Sequence, residues 1–226
     1  MIESDFKNLV QKDKWKTILS CFYETQPNFE EFTYNPKDNI AYFFEPIKEL
    51  SPLKNFFIEH LQAAEFHWFF VQGVDALMNG FYVPAVSSLL NGIEASLRVT
   101  ISQASNSEHK IIELSSHKVL SNNLIKNAKE LGLPTSALAF SNEKDFEIKL
   151  ETLKPNIINV EIVKQRNNIC HGNILEFINT EFGDENSFFT PECLRELSFE
   201  LLNICGNWVE QLGIYRKEKI ISKSCH

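Results

Sequence analysis

Apolar residues recur at intervals of three and four along most of the chain beyond its first fifty residues, which is the spacing of a helix with one buried face. The pattern predicts one long helix over residues 52–78 and a second over 83–101. A third is predicted over 121–131 and a last one over 192–213. We therefore expect an all-α fold.

The other segments lack a sustained helical period. Residues 1–52 hold a short helical pattern and two β-prone runs around a proline-containing turn. We interpret them as an accessory element, with a short hairpin, packed on a helical domain of residues 53–213. Residues 214–226 are predicted to form a basic, fraying tail. Residues 135–156 are polar and bounded by prolines, which predicts a long surface loop with a short helix, and such loops are often functional.

Residues 160–177 are predicted to contain a further helix with one buried stripe. The stripe consists of Val160, Val163, Asn167, Cys170 and Ile174. Asn156 or Asn159 can cap the start of this helix after a proline. Gly172 directly follows His171 and is the residue type that closes a helix in a left-handed conformation, so His171 is placed in the last turn.

The predicted helix brings three polar side chains toward one end. Asn167 and His171 are four residues apart and therefore lie on one face. Arg166 lies about 140° from His171 around the helix axis, and its side chain is long enough to bend toward the imidazole. A cation, an amide and a titratable ring can thus converge on a space that fits a phosphate.

The sequence Arg166-Asn167-x-x-x-His171 resembles the R-N-x-x-x-H signature of the HEPN superfamily, small all-helical domains that include many metal-independent ribonucleases of prokaryotic toxin and phage-defence systems. Residues 83–102 are similar to the second core helix of that family, in which small and apolar residues precede a Glu and a run ending in Leu-Arg. The resemblance covers roughly residues 56–213.

The resemblance implies an HEPN-like bundle of four to five helices that acts as a metal-independent endoribonuclease, as a toxin or a phage-defence effector. It implies a homodimer, because in the family two protomers place their Arg/His helices against each other to form a composite site. RNA is the implied substrate, and an antitoxin or regulatory protein is an implied partner.

Arg166, Asn167 and His171 suit RNA cleavage without a metal or cofactor, in which the RNA 2′-OH attacks the adjacent phosphorus. A histidine with an unperturbed pKa of about 6.5 can transfer protons near neutral pH. The arginine fork can stabilise the phosphorane, and Asn167 can hold the His171 tautomer or bind a phosphate oxygen. DNA lacks the 2′-OH and is expected to be inert.

Glu94 has two readings. It lies four residues before Arg98, which is the spacing of an ordinary ion pair on a helix surface. It can instead be a buried carboxylate that orients Arg166, and in that case it supports the site.

Length and composition bound these expectations. The 226 residues make one domain with an appendage, and nineteen Phe predict a core with large aromatic contacts. A formal net charge of −8 argues against broad adhesion to nucleic acid, although it leaves room for a focused positive patch. Five cysteines without a C-x-x-C spacing, a polar start and the lack of a long apolar run predict a cytoplasmic protein with reduced thiols and no membrane span.

Several other residues are interpreted as structural. His60 and His67 are expected to pack or snorkel on the first helix rather than bind a metal, and Cys170 is expected to pack as a small apolar residue. The basic cluster is expected to be a solvated end rather than an RNA-binding arm. It consists of Arg216, Lys217, Lys219 and Lys223.

Two alternative functions stay open. In the first, the same fold is a non-catalytic module that binds a nucleotide or a partner protein, which the acidic charge favours. In the second, the protein is the substrate of a modifying partner, with Thr180 and Tyr215 as candidate acceptors near the motif.

Overall fold

The computed structural model describes residues 52–106, 108, 110–111, 114, 119–178 and 188–221. This part of the chain contains α-helices and shorter helical turns but no strand, which confirms the all-α prediction. The accessory element and its hairpin lie outside the described residues. The α-helices are α1 (Pro52–Leu61), α2 (His67–Met78), α3 (Tyr82–Ala104), α4 (Asn122–Glu130), α5 (Phe146–Leu150), α6 (Glu161–His171) and α7 (Arg195–Arg216). Short 3-10 turns span Thr135–Leu138, Ile174–Phe177 and Pro191–Leu194, and a π turn spans Lys217–Ile221.

The core lies where α2, α3 and α7 pack together. Gly92 lets α2 and α3 approach closely, because a Cβ atom there would lie 2.9 Å from the ring of Phe70. On α7, the fully buried Trp208 donates its indole Nε1–H to the Ser96 hydroxyl of α3 at 2.8 Å. The only polar atom of the largest side chain in the core is therefore satisfied without water.

The prediction of one helix over residues 52–78 is wrong, because the chain breaks after Leu61. Gln62 has a φ of 46°, and helical structure resumes at His67. The buried Arg216 of α7 donates from Nε to the Leu61 carbonyl oxygen at 3.3 Å and lies 5.2 Å above the Phe66 ring. A residue more than 150 positions away thus satisfies the carbonyl at the break, and local spacing contains no signal for that.

The prediction of a solvated basic cluster and a fraying tail is wrong at Arg216. Its side chain is 3% exposed, and its Nη1 donates to Thr100 Oγ1 at 3.1 Å and to Gln103 Oε1 at 2.7 Å. Ile220, beyond α7, is buried as well. Lys217 and Lys219 are exposed as predicted, whereas residues 222–226 lie outside the described part of the chain.

Residues 135–156 contain the predicted short helix, α5. Residues 151–156 are mostly exposed, as expected of a surface loop, whereas the part up to residue 150 packs on the core. Leu138, Phe140, Phe146 and Leu150 are all buried in the main core. The segment is polar in composition, yet these apolar residues suffice to hold it against the bundle because each one is almost fully removed from water. This packing places the segment directly before the start of α6.

None of the described helices combines the length and the apolar character that crossing a bilayer requires.

Candidate functional site

The start of α6 is held by side chains from two earlier segments. Asn122, at the beginning of α4, accepts the Val160 N–H through Oδ1 at 3.1 Å. Glu143, before α5, accepts the Glu161 N–H through Oε1 at 2.8 Å. The carboxylate of Glu143 thus lies at a helix N-terminus, where the partial positive charge of the helix favours it. These bonds fix the position from which α6 extends.

Two sequence predictions for α6 are wrong. Neither Asn156 nor Asn159 caps it, because its first N–H groups are satisfied by the tertiary contacts of the two earlier segments. The predicted stripe is buried only near the start of α6, whereas Cys170 is exposed and Ile174 is 46% exposed. Ile169 instead packs against the core from the second half. The helix leaves the core as it proceeds, so spacing alone overestimated the length of the buried face.

The end of α6 agrees with the prediction. Gly172 adopts a left-handed conformation with a φ of 68°, and the Asn173 N–H bonds back to the Asn168 carbonyl at 2.9 Å. His171 is the last residue of the helix, and its side chain is exposed. Within the described residues it makes no side-chain hydrogen bond or ion pair, so the imidazole is open to a substrate.

Arg166 points toward α3. Its Nε lies 3.3 Å from Glu94 Oε2, and the two side chains are 15% and 12% exposed. Nη1 donates to Asn167 Oδ1 at 3.5 Å, the long limit of a hydrogen bond. Although Nε is close enough for an ion pair, it is buried and forms no hydrogen bond of acceptable geometry. No hydrogen bond joins Arg166 and His171 among the described residues, and the expected bend of Arg166 toward the imidazole stays a prediction.

Glu94 makes both of the contacts considered for it, one with Arg98 and one with Arg166. Its Oε1 lies 3.6 Å from Nη1 of Arg98 in the same helix, and its Oε2 faces Arg166 of α6. Oε2 also accepts the backbone N–H of Leu120 at 2.9 Å. The carboxylate is therefore a bridge between α3, α6 and the segment before α4, and it is positioned to orient Arg166.

Two described histidines outside the motif, His60 and His67, pack as expected. His60 bonds through Nδ1 to the Phe56 carbonyl at 2.9 Å, and the two rings lie 4.1 Å apart. His67 is 7% exposed, neither of its ring nitrogens forms a hydrogen bond to a described residue, and burial lowers its pKa. The described part of the chain holds no group of three His, Cys, Asp or Glu side chains that could bind a metal.

The remaining candidates are Tyr215, Thr180 and Cys170. The Tyr215 hydroxyl donates to the Leu131 carbonyl at 3.0 Å, and burial raises its pKa, so it is a poor acceptor for modification. Thr180 lies outside the described residues. Cys170 neighbours His171 but does not pack as a small apolar residue, because it is exposed.

The residues that hold the start of α6 were not predicted from the sequence. Asn122 and Glu143 are separated from their α6 partners by 38 and 18 residues. No local pattern reports contacts at such separations. Arg98 was visible as a helical partner of Glu94, but its nearness to the Arg166 contact depends on how α3 and α6 pack.

The chain was compared with protein-family models, with curated proteins and with solved structures, and none of these comparisons found a match. Its function is therefore argued from the residues of the site.

Proposed function

We propose that this protein is a metal-independent endoribonuclease of the HEPN type, with Arg166, Asn167 and His171 as catalytic residues and Glu94 as a positioning residue. The observation that carries the proposal is the contact between Glu94 and Arg166 at 3.3 Å, on the helix that ends in the exposed His171. A buried carboxylate that holds an arginine, with an open imidazole one turn further along, is an arrangement that suits phosphoryl chemistry.

Each residue has a distinct task in the reaction. The 2′-OH of the RNA attacks the adjacent phosphorus and the bond to the 5′-oxygen breaks, giving a 2′,3′-cyclic phosphate and a 5′-hydroxyl. One proton leaves the 2′-OH and another reaches the departing oxygen, which are transfers that an imidazole can make near neutral pH. The Arg166 guanidinium stabilises the charge on the phosphorane, and Asn167, which accepts from Arg166, keeps that group near the helix end.

The proposed active form is a homodimer in which two copies of α6 face each other. The one histidine of the motif cannot at once remove one proton and supply the other, so a second copy of the motif completes the pair. Ile174 and Leu175, directly after the motif, are 46% and 78% exposed, and they offer apolar area for such a contact. A two-fold arrangement brings each surface against its own copy. As part of the same proposal, the enzyme is a toxin or phage-defence effector restrained by an antitoxin or regulatory protein.

The test is cleavage of single-stranded RNA by the purified chain in EDTA. We expect Arg166→Ala and His171→Ala each to lower the rate by at least about 100-fold, because each removes a charge or proton donor used in the transition state. Lys129→Ala is the control, since Lys129 is an exposed cation on α4 paired with Glu147. Light scattering reports whether the active species is a dimer.

Retention of cleavage in both variants would overturn the nuclease assignment. Cleavage of DNA at a comparable rate would also contradict it, because DNA has no 2′-OH. If the active species is a monomer, cleavage takes place within one chain and the proposed composite site of two chains is wrong.

A second candidate function is a non-catalytic module that binds a nucleotide or a partner protein. Two observations favour it: the formal net charge of −8 and the partial neutralisation of Arg166 by Glu94. This function predicts that the wild type binds a nucleotide or RNA and cleaves nothing, while Arg166→Ala weakens binding.

A further inference from the structure

The chain at the start of α4 is bonded to both sides of the contact between Glu94 and Arg166. On one side, the Leu120 N–H donates to Glu94 Oε2 at 2.9 Å, and this same oxygen lies 3.3 Å from Arg166 Nε. On the other side, Asn122 Oδ1 accepts the Val160 N–H at 3.1 Å, directly before α6 begins. One short stretch of chain thus sets where the carboxylate lies and where the helix that carries the guanidinium begins.

Asn122 is suited to hold a fixed position. It is 6% exposed, and its amide nitrogen donates to the Lys149 carbonyl at 3.1 Å and to the Ile158 carbonyl at 2.9 Å. Together with the bond from Val160, these contacts join α4 to both ends of the segment 149–158 and to the start of α6. A buried amide bonded to several backbone segments favours one arrangement of them, because a displacement leaves a buried polar atom without its partner.

We propose that Asn122 is a positioning residue for Arg166, which holds α6 where the guanidinium meets the carboxylate of Glu94. Arg166 lies six residues after Val160, about 9 Å along the helix, and α6 is continuous over this distance, so a displacement of its start moves the arginine. The effect on RNA cleavage rests on the proposed function, whereas the link between Asn122 and Arg166 rests on the hydrogen bonds at the start of α4.

The experiment compares Asn122→Ala with Thr152→Val in the full chain. Thr152 is the matched control, because its hydroxyl donates to the Lys149 carbonyl at 2.6 Å and accepts the Ile158 N–H at 3.0 Å, and so closes the same segment without a bond to α6. We expect both variants to lower the melting temperature. Asn122→Ala alone should lower kcat for RNA cleavage, by about tenfold or more with KM within about twofold of the wild type, since it displaces a catalytic group and removes no RNA contact.

A second measurement does not require cleavage. In protein labelled with ¹⁵N at the arginine side chains, the Nε–H signal of Arg166 is assigned by its disappearance from the spectrum of Arg166→Lys. We expect this signal to shift in Asn122→Ala and to stay in place in Thr152→Val. The reason is that only the first variant changes how the guanidinium lies relative to the Glu94 carboxylate.

Val160→Pro keeps the proposal falsifiable if Asn122→Ala does not fold. The replacement removes the one N–H that Asn122 accepts, and the φ of −64° at Val160 is a value that proline adopts. We expect the same loss of kcat and the same shift of the Arg166 signal. Wild-type values of both in a folded Val160→Pro overturn the proposal.

The outcomes separate the positioning role from the nuclease. Cleavage that depends on Arg166 but is equally fast in Asn122→Ala and Thr152→Val overturns the positioning role and leaves the nuclease. A wild type that leaves RNA intact removes the nuclease, and the Arg166 signal then decides alone. A shift in Asn122→Ala that Thr152→Val does not show supports the positioning role, and equal signals in the two variants overturn it.

Discussion

Arg216 and Arg166 are two poorly exposed arginines whose surroundings differ. Arg216 is 3% exposed and donates to three neutral oxygens, those of Leu61, Thr100 and Gln103, while its plane covers the Phe66 ring. Arg166 retains more exposure, and among the described residues its contacts are a long one with an amide and a misaligned one with a carboxylate.

The difference separates a structural arginine from a candidate functional one. The neighbours of Arg216 use most of its donors, so it joins α1, α3 and α7 and has little capacity left for a ligand. The Arg166 guanidinium forms fewer good hydrogen bonds than it has donors. Such a deficit costs free energy, and it is expected at a site where a bound ligand supplies the missing acceptors.

Replacement of each arginine by methionine is expected to give the largest contrast between Arg166 and Arg216. We expect Arg166→Met to lower RNA cleavage by at least about 100-fold while reducing the free energy of unfolding by less than about 1 kcal/mol. Arg216→Met should instead reduce the free energy of unfolding by about 3 kcal/mol, because it removes three buried hydrogen bonds. Urea unfolding and cleavage assays on both variants test this. Similar stability losses in the two variants would erase the distinction.

A smaller effect is expected when the carboxylate beside Arg166 loses its charge. Glu94→Gln keeps the shape of the side chain but no longer holds the guanidinium, and a misplaced catalytic group costs up to about 100-fold in rate. We expect kcat to fall about tenfold or more with KM nearly unchanged, since the cationic donors for phosphate remain. Steady-state kinetics separate the two terms. A Glu94→Gln enzyme with wild-type kcat would show that Glu94 is only a structural ion-pair partner.

The smallest expected effect comes from a comparison of two histidines, of which His67 is buried and His171 is exposed. His67 is buried without a hydrogen bond to a described residue, and burial lowers its pKa although Glu65 opposes the shift, whereas His171 is exposed. A lowered folded-state pKa favours the neutral ring, so this contribution to stability is complete above the unfolded pKa of about 6.5 and is lost as the pH falls below it.

Replacement of His67 should remove this pH dependence. Between pH 7.5 and 5.5 we expect His67→Phe to lose less free energy of unfolding than the wild type, by at most about 1.4 kcal/mol per pH unit, the limit for one proton. His171→Asn is the control and should follow the wild type. Urea denaturation at both pH values measures the difference, and parallel curves for His67→Phe and the wild type would refute the assignment.

Helix positions were largely readable from the sequence because they depend on local periodicity. The boundaries of α3, the closure of α6 at Gly172 and the helix that begins beyond Ser121 all agree with their predictions. The prediction failed at Leu61, where a carbonyl is satisfied from α7, and at Cys170, where α6 leaves the core. In both cases the deciding partner is distant in sequence.

The candidate site likewise has features that follow from local spacing and features that depend on tertiary packing. Arg166, Asn167 and His171 could be named from the sequence, since their spacing on one helix is a local property. That Glu94 faces Arg166 while still pairing with Arg98 could only be kept as an alternative, because it depends on how α3 and α6 pack, and Glu94 and Arg166 are 72 positions apart along the chain.

The sequence by itself determined that this chain is helical, where most helices lie and which polar residues cluster at the end of one of them, because backbone hydrogen bonding and side-chain period act within a few residues. Tertiary structure alone decided that Arg216 gives most of its donors to buried neighbours and that Arg166 Nε lies beside a carboxylate without a well-aligned hydrogen bond. The physical reason is that burial and the choice of hydrogen-bond partner are set by contacts between distant segments, which local spacing does not encode.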